Sequence, residues 1–325
     1  MKTYMVKYKI TSKNDNKFIV LSDFHSYFSK TLANYISSIK SNYIIIAGDV
    51  FNGDKWNSNK WVNKFKDFID IISENHIVII SLGNHDLFTI SKKGFNNFRS
   101  LKSKNVYPLF NESISFKDVC FTSFVPSKKY YSYFEQDRKK VINGIIREYN
   151  NLDKSINKRK INILVSHNPY HFYHSEVSSL INKDFDFIIT GHFHDGWIPT
   201  KFLDNNYDKI LDNGLHEAIN DIVFRNDPYT ISVNPKRILS RGMARIDENG
   251  YFTMLPNNKI YYFDRNSNSY TKSNKEEYMN SKTASLVISG AVNTFLKLKC
   301  FYPHITILET KKDKNILIAN RKINK

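Results

Sequence analysis

Cysteine is nearly missing from this chain of 325 residues: the two present, Cys120 and Cys300, lie far apart and in no pair spacing. That argues against a disulfide framework and against a thiolate metal site. Long apolar runs are missing as well. No stretch approaches the ~18 consecutive apolar residues that a membrane-spanning helix needs, and the start, Met1 to Ile10, lacks the apolar centre of a signal peptide. The expectation is a soluble, cytoplasmic protein with no transmembrane segment, with surface association to a membrane left open. No repeat of 20 to 50 residues is present, which sets aside solenoids and propellers.

Negative charge is also in short supply, with 31 Asp and Glu against 48 Lys and Arg, a formal net charge of +17. Two readings stand side by side. A basic surface of that size favours polyanions such as nucleic acid, anionic lipid or phosphorylated substrates. Equally, Lys, Asn and Ile are abundant throughout and the Lys residues are scattered, as an AT-rich genome would produce. Hydrophobic residues at 41% and aromatics at 14% mark a globular chain with enough length for a large core. Nothing in the sequence points to a protein partner.

What is present is one pattern, repeated: a short apolar run that ends in metal-ligand chemistry. Ile77-Val78-Ile79-Ile80 reads as a buried parallel strand and runs into Gly83-Asn84-His85-Asp86. Phe18 to Leu21 ends in Asp23-Phe24-His25, whose period-2 spacing puts Asp23 and His25 on one side. Tyr43 to Ala47 ends in Gly48-Asp49, Ile161 to Val165 in Ser166-His167-Asn168-Pro169, and Phe185 to Thr190 in Gly191-His192-Phe193-His194. Helical periodicity near Lys30 to Ile39 and from Asn57 to Glu74, with Trp61, Phe65, Phe68, Ile69 and Ile72 inward, separates the strands. This is β-α-β repeated, the form of a parallel sheet, whose ligands bind at the carboxyl ends of the strands. A further helix is expected from Glu135 to about Tyr149, and paired strands at Ser113–Phe116 and Val119–Phe124 begin a second sheet.

The oxygen and nitrogen donors collected this way suit Mn, Fe, Zn or Mg-like ions, and Asp49 is able to bridge two of them through its two oxygens. Each piece alone is ordinary turn chemistry. Five of them in one chain are not.

In order, these elements resemble the pattern of the calcineurin-like metallophosphoesterase superfamily: D-x-H, GD, GNH-D/E, H and GH-x-H. The resemblance covers roughly Phe18 to Trp197, and Val287 to Thr310 resembles the closing strands of its small bacterial branch. It implies a four-layer α/β/β/α sandwich with a dinuclear centre at one edge. On that pattern residues 1–200 form the metallophosphoesterase core, 201–283 an inserted, cap-like segment, and 284–325 the returning strands and a basic tail. One cation would be held by Asp23, His25, Asp49 and His194, the other by Asp49, Asn84, His167 and His192, with Mn expected ahead of Fe or Zn. Two ions about 3.5–4 Å apart would clamp a phosphoryl group and make hydroxide available for in-line attack. His85 would protonate or stabilise the departing oxygen, with Asp86 orienting His85. The implied activity is phosphoester hydrolysis, as a phosphodiesterase ahead of a monoesterase. A nuclease, motivated by the net charge, and a non-catalytic protein-binding scaffold of the same fold are the alternatives.

Among the aromatics near these motifs (Phe24, Tyr27, Tyr170, Phe172, Tyr173, Phe193, Trp197), core packing competes with lining a substrate mouth, and Trp197 is the expected substrate contact. His171 and His174 read as loop histidines, and His76, His216 and His304 have no motif around them.

Overall fold

The structure, a computed structural model, describes residues 3–131, 138–172, 175–192, 242–246, 252–254, 261–264, 269–272, 284–289, 291–293, 303–312 and 317–324. Its strands are β1 (Thr3–Thr11), β2 (Asn16–Leu21), β3 (Tyr43–Ala47), β4 (Ile77–Ser81), β5 (Val106–Pro108), β6 (Ser113–Ser115), β7 (Val119–Ser123), β8 (Ile161–Val165) and β9 (Phe187–Thr190). Then come β10 (Gly242–Ile246), β11 (Phe252–Met254), β12 (Tyr261–Asp264), β13 (Ser269–Lys272), β14 (Ala284–Ile288), β15 (His304–Lys311) and β16 (Leu317–Asn324). The helices are α1 (Lys30–Ser38), α2 (Asn59–Ser73), α3 (Asn84–Thr89), α4 (Lys92–Ser100), α5 (Arg138–Asn150) and α6 (Ser175–Asn182).

The strands form two sheets, ordered β16-β1-β15-β2-β3-β4-β5 and β13-β12-β11-β10-β14-β9-β8-β7-β6. β2 to β5 run parallel, as do β7, β8, β9 and β14. Unbroken apolar runs suit such strands because both of their faces are buried. Alternate side chains explain the layering. Phe18, Val20, Tyr43, Ile45 and Ile79 meet Phe121, Ile163, Ile189 and Val287 between the sheets. Ile19, Leu21, Ile44, Ile46, Val78 and Ile80 face the other way, onto Leu32, Ile36, Phe65, Phe68, Ile69 and Phe98 of α1, α2 and α4. The second sheet carries α5 and α6, with Val141, Ile145, Val177 and Ile181 buried. The result is the four-layer α/β/β/α sandwich, and it gathers the carboxyl ends of β2, β3, β4, β8 and β9 along one edge.

Several elements differ from their sequence reading. On α2 the buried stripe contains Val62, and Trp61 sits at its margin with the Lys55 and Lys64 ammonium groups 4.3 and 4.9 Å from its ring centre. β1 had no strand signal because it is half-buried: Tyr8 and Ile10 point in, while Lys7 pairs with Glu309 on β15 at 2.7 Å. Gly83–Asp86 is not a bare turn but the entry and first turn of helix α3. β14 and β15 return to different sheets, β14 beside β9 and β15 between β1 and β2.

Within residues 201–283, β10 to β13 lengthen the second sheet as antiparallel neighbours. The expected boundary near residue 200, and most of the segment read as a cap, lie outside the described residues. Among the described residues no helix is long and apolar enough to cross a membrane.

Candidate metal centre

The loops that follow β2 and β3 are joined by backbone hydrogen bonds from Asp23 N to Gly48 O (3.1 Å), His25 N to Asp49 O (3.1 Å) and Ser26 N to Val50 O (2.8 Å). To hold that arrangement, Asp23, His25, Asp49 and His192 all adopt positive φ, between 45° and 76°. This region is unfavourable for most side chains, and Asp and His are among the few that enter it. Strain of about 1–3 kcal/mol per residue persists only where the surroundings over-determine it. Here it turns each side chain back toward one point.

Two glycines make the convergence sterically feasible. Gly48 has φ +87°, and a Cβ there would stand 2.6 Å from Gly83 N. A Cβ on Gly191 would run into the Ser22 side chain and lie 2.7 Å from Asp23 Oδ2. At that close approach His192 N donates to Asp23 Oδ2 (3.0 Å), which ties the end of β9 in the second sheet to the end of β2 in the first.

Asp49 is at the centre, fully buried. Its Oδ1 accepts the backbone N–H of His85 at 2.9 Å. Its Oδ2 lies 3.1 Å from His167 Nε2 and 4.0 Å from His85 Nε2. Asp23 Oδ1 is 3.8 Å from both His25 Nε2 and His167 Nε2. His192 Nδ1 stands 3.3 Å from His167 Nε2. Ligand atoms of His25, Asp49 and His85 lie within 4.8 Å of one another, and so do those of Asp49, His167 and His192. Asp49 is therefore common to two adjoining groups.

The outer nitrogens are already engaged. His167 Nδ1 donates to Ala47 O at 2.7 Å, and His25 Nδ1 lies 2.7 Å from Asn52 Oδ1 as a donor. Each ring thereby turns Nε2 toward the carboxylates, and the Nδ1–H tautomer that metal-binding imidazoles take up leaves Nε2 to a cation once its proton is displaced. Electrostatics agree. Burial raises the Asp49 carboxyl, but the His167 charge overrides it and holds Asp49 below the ordinary carboxylate range. Burial lowers the His167 imidazole, and the charges of Asp49 and Asp23 hold it above its ordinary value. Negative charge buried this deep calls for a cation, and a divalent ion can replace the imidazolium proton in that role. Asn84 Oδ1, buried and without a hydrogen-bond partner, is one more oxygen donor waiting for an electrophile. The residues fit divalent cations.

Asp86 is placed differently from its sequence reading. Its carboxylate accepts from Gly83 N (2.9 Å), Val50 N (3.2 Å), Phe51 N (3.0 Å) and Trp56 Nε1 (2.7 Å), and the His85 ring is not among its partners. Burial and the Asp49 charge nonetheless push its carboxyl up to about 6. Asp86 thus staples the first turn of α3 to the loop after β3, and His85 is positioned through its own backbone.

His194 and Trp197 lie outside the described residues. Phe24 and Phe172 are core residues, whereas Tyr27 is exposed. His76 is a buried structural histidine, its nitrogens 2.8 Å from Ile72 O and 3.0 Å from Ile39 O. Sequence reasoning missed Asn52, an ordinary turn residue by its neighbours, and Tyr131, whose ring packs 4.9 Å from His171 and whose hydroxyl is buried. Neither carries a local signal, because each reaches the site from a different loop.

Residues 16–196 match the family model of the calcineurin-like phosphoesterases. No curated protein matches the sequence. Similar solved structures include GAP50, the anchor in the inner membrane complex of Plasmodium, at 16% identity over 55% of this chain and 66% of that one, TM-score 0.34. A 5'-nucleotidase precursor from Thermus thermophilus is 13% identical over 55% of this chain and 42% of its own, TM-score 0.34. A dimetal phosphatase from Danio rerio is 12% identical over 56% and 82%, TM-score 0.34. The chain spans less than two thirds of the first two.

Proposed function

The chain belongs to the calcineurin-like phosphoesterases, and we propose that within that family it is a metal-dependent phosphodiesterase whose centre is built on Asp49. One cation is assigned to Asp23, His25, Asp49 and His194, and the other to Asp49, Asn84, His167 and His192, with Mn as the first candidate. The observation that carries this reading is the sharing of Asp49 between two groups of candidate ligands, His25 with His85 on one side and His167 with His192 on the other. Divalent cations bound there supply positive charge to a phosphoryl group and make water nucleophilic near neutral pH.

The protein's own side chains do the rest. Asn52 and Ala47 O keep the His25 and His167 rings aimed inward, so the donor set is formed in advance. His85 is the proposed proton donor to the departing oxygen. Its ring is 36% exposed while the His25 and His167 rings are fully covered, which suits a group that meets substrate at the rim. Asp86 is a positioning residue, since it fixes the turn from which His85 projects. None of the nine proposed site residues is Lys or Arg. A diester, with one negative charge, needs less fixed positive charge than a dianionic monoester, and this supports the diester preference.

The test pairs metal analysis of the purified protein with hydrolysis of bis-p-nitrophenyl phosphate and of the monoester, with and without chelator. Two equivalents of metal and chelator-sensitive diester cleavage are expected. Turnover that survives full demetallation overturns the proposal, and faster monoester cleavage overturns the diester part.

A further inference from the structure

The cationic side chains of this protein are not all alike. A cavity of about 370 Å³ beside β2 and β15 is lined by Lys17, Lys40 and Lys311, but also by Asp15 and Glu309. There Lys311 pairs with Asp15 at 2.9 Å and Glu309 with Lys7 at 2.7 Å, so carboxylates share the wall with the cations. A second cavity, of about 380 Å³, is lined by Lys129, Tyr130, Lys140, Asn143, Gly144 and Arg147, with no carboxylate among the described residues of its wall.

Its geometry follows from one helix face. Lys140, Asn143, Gly144 and Arg147 recur at i, i+3, i+4 and i+7 along α5, so they share a side. Gly144 lets the Tyr130 ring lie flush on the helix, since a Cβ there would collide with the Tyr130 hydroxyl. Tyr130 therefore floors the groove, and Lys140 and Arg147 stand exposed on its rim. Among the described residues neither has a carboxylate partner. The nearest acid on α5, Glu148, is turned onto Ser127, whose backbone N–H it accepts at 2.8 Å.

One short segment, Lys128–Tyr131, supplies Lys129 and Tyr130 to the groove and also packs against α3, the helix that begins at Asn84. His171, four residues beyond His167, holds it through Nε2 to Tyr130 O at 3.2 Å. Tyr131, the next residue, packs its ring on His171 at 4.9 Å and on Phe88 at 6.4 Å, and Phe88 follows His85 by three residues. Phe88 is 47% exposed. An exposed aromatic ring on the helix that carries His85, packed on the segment that walls a cationic groove, suits a single strand: bases stack on the ring and phosphates follow the charge.

We propose that this groove is a second phosphate subsite and that the substrate is a single-stranded nucleic acid, its scissile phosphate at the Asp49 centre and another phosphate of the same strand between Lys140 and Arg147. The proposal rests on the phosphodiesterase reading for its first phosphate and on the groove alone for its second. The double variant K140E/R147E separates the two. With an oligodeoxynucleotide, KM rises at least ~10-fold and the salt dependence of binding weakens by about 0.7 in the log–log slope per lost contact. With bis-p-nitrophenyl phosphate, kinetics stay within about twofold, because that diester carries no second phosphate for the groove to bind. Unchanged oligonucleotide KM and salt slope in a folded double variant would overturn the subsite. Fluorescence anisotropy of a labelled oligonucleotide supplies the same comparison without turnover. Failure of the wild type to cleave any diester therefore counts against the activity, and binding indifferent to K140E/R147E counts against the groove.

Discussion

The indole N–H of Trp56 donates to Asp86 Oδ1 at 2.7 Å, and both residues are fully buried. A side chain from the segment after β3 thereby fixes the first turn of α3, from which His85 reaches the candidate metal centre. Trp56→Phe keeps most of the packing but leaves one carboxylate lone pair unanswered. A loss of about 2–3 kcal/mol is expected, read from urea denaturation, with weaker catalysis because the His85 turn loosens. Unchanged stability would show that the staple is dispensable.

Asp49 faces both candidate groups, whereas Asp23 approaches one edge of each. Asp49→Ala should abolish binding of both cations and reduce diester hydrolysis by at least ~10²–10³-fold. Metal content by mass spectrometry checks the cause. A variant that still carries two equivalents would rule out the shared ligand.

Removing the His85 imidazole should cost roughly 10²–10⁴-fold on a diester with a poor leaving group, and much less on a p-nitrophenyl ester, whose anion leaves without a proton. Metal should remain bound to His85→Ala. If metal is lost instead, His85 is a ligand beside His25, as its place in that group allows.

Chelation should lower stability. Two buried carboxylates, Asp23 and Asp49, face one another's field, and Asp49 feels Asp23 as repulsion. Cations at 100 times their Kd stabilise by about 2.7 kcal/mol for each site, so melting temperature should fall on chelation and return with Mn. A melting curve indifferent to both would argue that the pocket holds no ion.

Far from the site, the Tyr149 hydroxyl donates to Asp184 Oδ2 at 2.7 Å, and Lys154 lies 4.0 Å over the Tyr149 ring. Burial, then the Asp184 hydrogen bond and charge, hold the phenol well above its ordinary 10.0. A raised pKa means the folded state keeps the proton that the unfolded chain gives up. The contribution is complete below pH 10 and declines as pH rises beyond it. Tyr149→Phe should be about 1.5–3 kcal/mol less stable at neutral pH and show a flatter alkaline limb in pH-dependent melting. An unaltered alkaline limb would place the titration elsewhere.

Much of the sheet was readable because strands buried on both faces are continuous apolar runs: Tyr43–Ala47 and Ile161–Val165 have the same limits in sequence and structure. β1 was missed for the opposite reason, since alternation of Lys with Tyr and Ile over a half-buried strand resembles a polar segment. α3 was read as a turn because six residues are too few to display a helical period. The resemblance assigned Asp86 to His85, whereas its four donors come from Gly83 and the loop after β3, which no spacing in the sequence relates to it.

The sequence by itself determined which side chains sit at which strand ends, because burial and the two-residue period act within a few neighbours. It also determined the candidate donor chemistry, since residue types are all that a donor set needs. Only the tertiary structure decided which atoms face which: left-handed backbone at Asp23, His25, Asp49 and His192, the Asn52 and Ala47 contacts behind the rings, and a groove between Tyr130 and α5. Those depend on how two sheets and their loops meet, and contacts between residues far apart along the chain leave no local trace.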